Sequence, residues 1–94
     1  MKKITLLLCA ILSLNIAVAQ NTVTGTIKDS HNEPLPGANI VEKGTNNGTS
    51  SDFDGKFTLT VKDGAVLVVS FAGYETQEVA VNGKRTLEIV MIEG

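Results

Sequence analysis

The chain has no tryptophan, one tyrosine, one histidine, one cysteine and two prolines in its 94 residues. A lone cysteine, Cys9, cannot form an intrachain disulfide or supply a multi-cysteine zinc site. A single histidine, His31, leaves no histidine pair for a metal. It lies in a polar loop beside Asn32 and Glu33, with no convergent partners visible for general-base work. No basic run occurs and the formal net charge is −2, which removes nucleic acid and anionic membrane surfaces from the expected partners. Beyond the first 19 residues no stretch shows a 3.6-residue apolar period, so no amphipathic helix is expected. The longest apolar run, Ile4 to Val18, is about 15 residues against the roughly 20 that a bilayer span needs.

That run follows Met1-Lys2-Lys3 and ends in Ala17-Val18-Ala19, the small-x-small pattern of a signal-peptidase site. The expectation is an export signal over residues 1–19, a helical apolar segment cut between Ala19 and Gln20. Cys9 offers a lipoprotein alternative, but Leu6-Leu7-Leu8 before it lacks the small residues such a site needs, and more apolar sequence follows. Loss of the signal takes Lys+Arg from 8 to 6 while Asp+Glu stays at 10, so residues 20–94 carry −4 and no cysteine. About 75 residues form one domain near the lower limit for a fold without disulfides. Nearly every aliphatic strand residue is then needed for the core, which leaves little for a deep pocket.

The remaining chain is organised around Gly44 to Phe57, where three glycines and two Asx-Gly steps permit tight reversals but no helix. Alternating apolar segments flank it. Thr22 to Lys28 puts Val23, Gly25 and Ile27 on one face and threonines on the other; Asp29 to Gly37 is a loop with Pro34 and Pro36. Ala38 to Lys43 is a second strand, with Ala38 and Ile40 inward, and Thr49 to Phe53 a short edge strand. Lys56 to Lys62 alternates Phe57, Leu59 and Val61 against polar residues. Ala65 to Phe71 is almost wholly apolar, as the most buried strand would be. Tyr74 to Val81 and Lys84 to Ile92 form the last pair. Gly37, Gly44, Asp54, Gly55, Gly64, Gly73 and Gly83 are the expected turn positions. Six or seven short antiparallel strands with turn signals between them predict an all-β fold, a small Greek-key β-sandwich. A partly open barrel shares the pattern.

Two hairpins are expected from strand parity. At Asp63-Gly64 a three-residue loop, with Gly64 in the left-handed region, would pair Leu59 with Leu67 and Phe57 with Val69. At Asn82-Gly83 a two-residue type I′ loop would set Val79 and Val81 opposite Thr86 and Lys84. A three-residue loop instead brings Val79, Val81, Leu87 and Ile89 to one side, so the apolar pattern overrules the local Asn-Gly preference.

Several segments together resemble a known family. They are Val23-Thr-Gly-Thr-Ile, Glu33-Pro-Leu-Pro-Gly-Ala-Asn-Ile, Lys43-Gly-Thr-Asn-Asn-Gly-Thr, Asp52-Phe-Asp-Gly-Lys-Phe-Thr-Leu, Val69-Ser-Phe-Ala-Gly-Tyr and Gln77-Glu-Val-Ala-Val. In this order they resemble the carboxypeptidase-regulatory-like domain, in the version found at the N-terminus of SusC/RagA-type TonB-linked outer-membrane receptors of Bacteroidetes. The resemblance implies a seven-stranded prealbumin-like sandwich in the periplasm, ahead of a plug and a transmembrane barrel that imports glycans or peptides. About 75 residues cannot supply that barrel, so transport by this chain alone is excluded. The expectation is a free-standing exported module or a piece of a receptor, acting on protein partners of an outer-membrane uptake system. The resemblance brings no catalytic residues, despite the family's name, and no enzyme activity, cofactor or metal is expected.

Other readings of single motifs carry less. Asp52-Phe53-Asp54-Gly55 has the look of a calcium loop, but aligned to an EF-hand it would put Val61 where a bidentate Glu is required. It reads as a turn closed by Asx side chains. Carbohydrate binding is the alternative function; with no tryptophan and with Phe57 and Phe71 claimed by the core, only Phe53 and Tyr74 could form a platform. For a protein partner, the threonine-rich strand of Thr22, Thr24 and Thr26, together with Thr49 to Phe53 and Tyr74, is the candidate interaction edge.

Overall fold

A computed structural model describes residues 20–94 as seven strands and no helix. The expected signal segment and its cleavage site at Ala19 begin outside the described residues. The strands are β1 (Gln20–Lys28), β2 (Asn39–Glu42), β3 (Gly48–Ser50), β4 (Lys56–Lys62), β5 (Val66–Ser70), β6 (Gln77–Ala80) and β7 (Thr86–Val90). They form two sheets, ordered β4-β1-β7 and β3-β2-β5-β6. The result is the expected all-β sandwich.

Period-2 alternation builds the interior. β4 buries Phe57, Leu59 and Val61 and exposes every residue between them. β1 contributes Val23 and Ile27, β2 Ile40, β5 Leu67 and Val69, and β7 Leu87 and Ile89, with Ala38, Ala65, Val81 and Met91 filling in from the flanking loops. Each fully buried aliphatic side chain contributes roughly 1.5–3 kcal/mol of transfer free energy. β5 lies inside its sheet, between β2 and β6, and is the one strand without an exposed residue.

Both hairpin expectations fail, and for one reason. β4 and β5 lie in different sheets, as do β6 and β7; β5 pairs antiparallel with β2 and β6, while β7 pairs in parallel with β1, Gly25 opposite Leu87. Inward parity holds in each case, because Phe57 and Leu59 share the interior with Leu67 and Val69. Two strands facing one another across a core satisfy that parity as well as two strands side by side. The turns then follow local chemistry alone. Asn82 and Gly83 both have positive φ (51° and 75°), and Lys84 N–H donates to Val81 O at 3.0 Å. That is the type I′ geometry the Asn-Gly step prefers, here joining the sheets instead of closing a hairpin.

β1 is also not an edge. It runs between β4 and β7, so Thr22, Thr24 and Thr26 lie on the outer face of an interior strand. Threonine alternation reports solvent on one face and says nothing about a lateral neighbour. Thr22 and Thr60 share a hydroxyl–hydroxyl hydrogen bond of 3.1 Å across that face. Gly25 sits directly opposite Phe57 in the register, and the ring of Phe57 lies over it: an added Cβ would come within 2.4 Å of Phe57 Cε1.

Candidate functional site

Strand directions sort the connections into two ends. β1, β3, β5 and β7 finish at the end where β2, β4 and β6 begin. The segments there are 29–38, 51–55, 71–76 and 91–94. They hold six of the ten carboxylates in residues 20–94 (Asp29, Glu33, Asp52, Asp54, Glu75 and Glu93) and no lysine or arginine. The connections at the opposite end hold Lys43, Lys84 and Arg85 against the single carboxylate of Asp63. The domain is therefore polarised along its strands.

The acidic end is built from closed turns. The Asp29 carboxylate accepts the backbone N–H groups of His31 and Glu33 at 2.8 and 2.9 Å. The Glu33 N–H is the main cause holding its pKa below the ordinary carboxylate value; partial desolvation works against it, and the His31 N–H and the nearby His31 side chain add to the lowering. Asp52 repeats the device, accepting from Asp54 N–H and Lys56 N–H at 2.9 Å each, while its own N–H donates to Lys56 O at 2.8 Å. Asp52 is the Asx side chain that closes this turn, and Asp54 lies within it as expected. Gly55, at φ 74°, packs against Ile27 O and Pro34 so tightly that no side chain fits. The turn presents Phe53 to solvent, 92% exposed.

Tyr74 sits at the same end but packs inward. Its ring lies 5.8 Å from that of Phe71, both half-buried against the core. Burial pushes its hydroxyl above the ordinary value, and the carboxylates of Asp29, Glu93 and Glu33 add to the shift. Tyr74 also bridges Glu93, and beside it Glu75 N–H donates to Ile92 O at 2.7 Å. Gln77 Nε2 donates to Val90 O at 2.9 Å. These bonds stitch the β6 edge to the β7 edge. On the other flank, Asn47 Nδ2 donates to Thr60 O at 2.7 Å and to Glu42 Oε1 at 3.0 Å, tying the β2–β3 turn to β4. Bridged edges offer less to an incoming strand than bare ones do.

Glu42 is the residue the sequence reading missed. It is only 6% exposed and borders an open groove shared with Gln20, Thr45, Asn47, Thr60 and Lys62. The signal was available, since Ala38 and Ile40 point inward and parity continues to Glu42. Its carboxylate also meets Lys62 N–H at 3.4 Å. No group of three or more His, Cys, Asp or Glu side chains suited to a metal occurs among the described residues. The expected turn glycines Gly37, Gly44, Gly55, Gly64, Gly73 and Gly83 all have positive φ.

The model of the CarboxypepD_reg-like domain matches residues 23–93, from β1 through the last residues after β7. The chain belongs to that family. It is 43% identical over 89 residues to a TonB-dependent receptor of Formosa agariphila, a match covering 94% of this chain and 9% of the receptor. It is 49% identical over 83 residues to the TonB-dependent receptor SusC of Bacteroides thetaiotaomicron, covering 86% of this chain and 8% of that protein. The chain thus spans about a tenth of the length of these relatives. Among solved structures, a chain of a type II cohesin–X–dockerin complex from Acetivibrio cellulolyticus superposes with TM-score 0.63 at 24% identity. That match covers 79% of this chain and 58% of the other, a likeness of fold.

Proposed function

We propose that this chain is an exported, non-catalytic interaction domain of a TonB-dependent nutrient-uptake system, working in the periplasm at the outer membrane. It does so either as a free-standing module or as part of a receptor. The observation that carries this reading is the match to TonB-dependent receptors over nearly the whole chain. The geometry supports an interaction role: the aliphatic side chains go into the core, both flanks are bridged, and the loops at the two ends carry opposite charge. Its contribution is to hold partner proteins in register, with glycans or peptides as the cargo class of the larger system. Deleting the segment encoding residues 20–94 in the source cell tests this. Growth on the polysaccharide or peptide served by the system should slow while growth on glucose is unchanged. Equal growth on every carbon source would overturn the reading.

One observation favours a second reading, carbohydrate binding: Phe53 is an aromatic ring free to stack on a sugar. Calorimetric titration with soluble polysaccharides tests it, and heats that vanish in Phe53→Ala would support it.

A further inference from the structure

We infer that Phe53 is the apolar anchor of a protein-docking surface at the acidic end of the sandwich, and that its occupant is a basic polypeptide segment carrying apolar side chains. The inference rests on reading the chain as an interaction domain and names the surface and the partner's chemistry.

The side chain itself carries the argument. The chain has three phenylalanines; Phe57 is 4% exposed, Phe71 packs on Tyr74, and Phe53 alone stands in water at 92% exposure. Exposed apolar residues are common at surfaces, but a fully exposed ring is a large unburied area with no folded-state contact to retain it. Its backbone is nonetheless fixed by the Asp52 carboxylate, by the Gly55 N–H donating to Asp52 O at 2.9 Å, and by the packing of Gly55 on Ile27 and Pro34. A ring on a pre-ordered turn loses little freedom on docking, as an interface anchor requires. Ile92, 57% exposed, adds a second apolar side chain to the same end.

Charge then selects the occupant. Asp52 and Asp54 flank the ring, Asp29, Glu33, Glu75 and Glu93 share its end, and the strand ends bordering that end carry two cations, Lys28 and Lys56, against these six carboxylates. An aromatic wedge meant for a bilayer would be surrounded by cations, since anionic headgroups repel carboxylates. A neutral sugar gains the ring but no net coulombic attraction from the rim. A basic polypeptide gains from both the ring and its rim, and the rim charges raise the encounter rate and make it salt-dependent.

The test pans a phage-displayed library of random 12-residue peptides against the full chain, then measures the recovered peptides by fluorescence anisotropy. The inference expects recovered sequences enriched in Lys or Arg together with aliphatic or aromatic residues. Their affinity should fall at least tenfold in Phe53→Ala, stay within threefold in Phe53→Trp and in Thr86→Ala at the opposite end of the domain, and weaken several-fold between 50 and 300 mM salt. No enrichment, neutral or acidic peptides, or affinity indifferent to Phe53→Ala would overturn it. So would Phe53-dependent binding to soluble polysaccharides or to phosphatidylglycerol vesicles in parallel titrations, with no peptide recovered. If residues 20–94 prove necessary for uptake while Phe53→Ala takes up cargo normally, the inference fails and the functional reading stands.

Discussion

Replacing Gly25 by alanine places a methyl group where the Phe57 ring already lies. The added Cβ would sit 2.4 and 2.5 Å from Phe57 Cε1 and Cζ and 2.9 Å from the backbone oxygen of Leu87. The ring is 4% exposed and packed in the core, and the Leu87 carbonyl belongs to the parallel ladder, so neither can retreat freely. Overpacking of this kind costs about 1–3 kcal/mol. Gly→Ala narrows the unfolded ensemble and returns roughly 0.4–1 kcal/mol. Because neither the ring nor the carbonyl can retreat freely, the overpacking cost lies in the upper half of its range, from about 2 kcal/mol, which leaves a net loss of about 1–2 kcal/mol. With an m-value near ~1 kcal/mol/M, the urea midpoint followed by far-ultraviolet circular dichroism should fall by about 1–2 M. The melting temperature should drop by about 4–16 °C, at the shift per kcal/mol usual for a domain of this size. Phe57→Leu is the partner variant. In the double mutant the smaller side chain makes room for the methyl, so the two losses should fall short of additivity by at least ~0.5 kcal/mol. A Gly25→Ala protein as stable as the parent, or strictly additive losses, would refute the claim that the ring lies over the glycine.

Three further outcomes follow from the loops and the buried acid. Asp29→Asn should flatten stability in acid: the folded pKa lies below the ordinary 3.8, so the parent's gain is present above about that pH and is lost as pH falls below it. Acid titration of both proteins, followed by circular dichroism, checks the difference. Glu42→Ala removes the acceptor of Asn47 Nδ2 and Lys62 N–H in a buried place and should cost about 1–3 kcal/mol in urea unfolding, with Asn47→Ala non-additive to it. Asp52→Ala strips the acceptor from two backbone N–H groups and should cost about 1–2 kcal/mol. It should also raise amide exchange at Asp54 and Lys56 more than at Leu67, which sits in the core.

Strand existence was legible where one face is solvated, because alternation is then unambiguous; Lys56–Lys62 ends at the residues the pattern implied. Pairing was not legible. The interior positions of β4 and β5, and of β6 and β7, obey the same parity whether the strands are neighbours or face each other across the core, and hairpins are the simpler assumption for short connections. That assumption discounted the I′ turn that Asn82 and Gly83 adopt, while threonine richness, which reports only solvent on one face, misplaced Thr22, Thr24 and Thr26 at an edge. The loop end was half legible. Phe53 stood out because the core pattern had no place for it, and Asx-Gly steps marked the turns. The gathering of Asp29, Glu33, Asp52, Asp54, Glu75 and Glu93 at one end depends on the direction of every strand, which no local pattern encodes.

Affinity capture of the tagged chain from gently solubilised outer membranes of the source cell tests the central claim most directly. The account predicts that a TonB-dependent receptor is recovered with it in stoichiometric amount, or as the same polypeptide. Recovery of the chain wholly from the soluble fraction, as a monomer with no receptor attached, would contradict it.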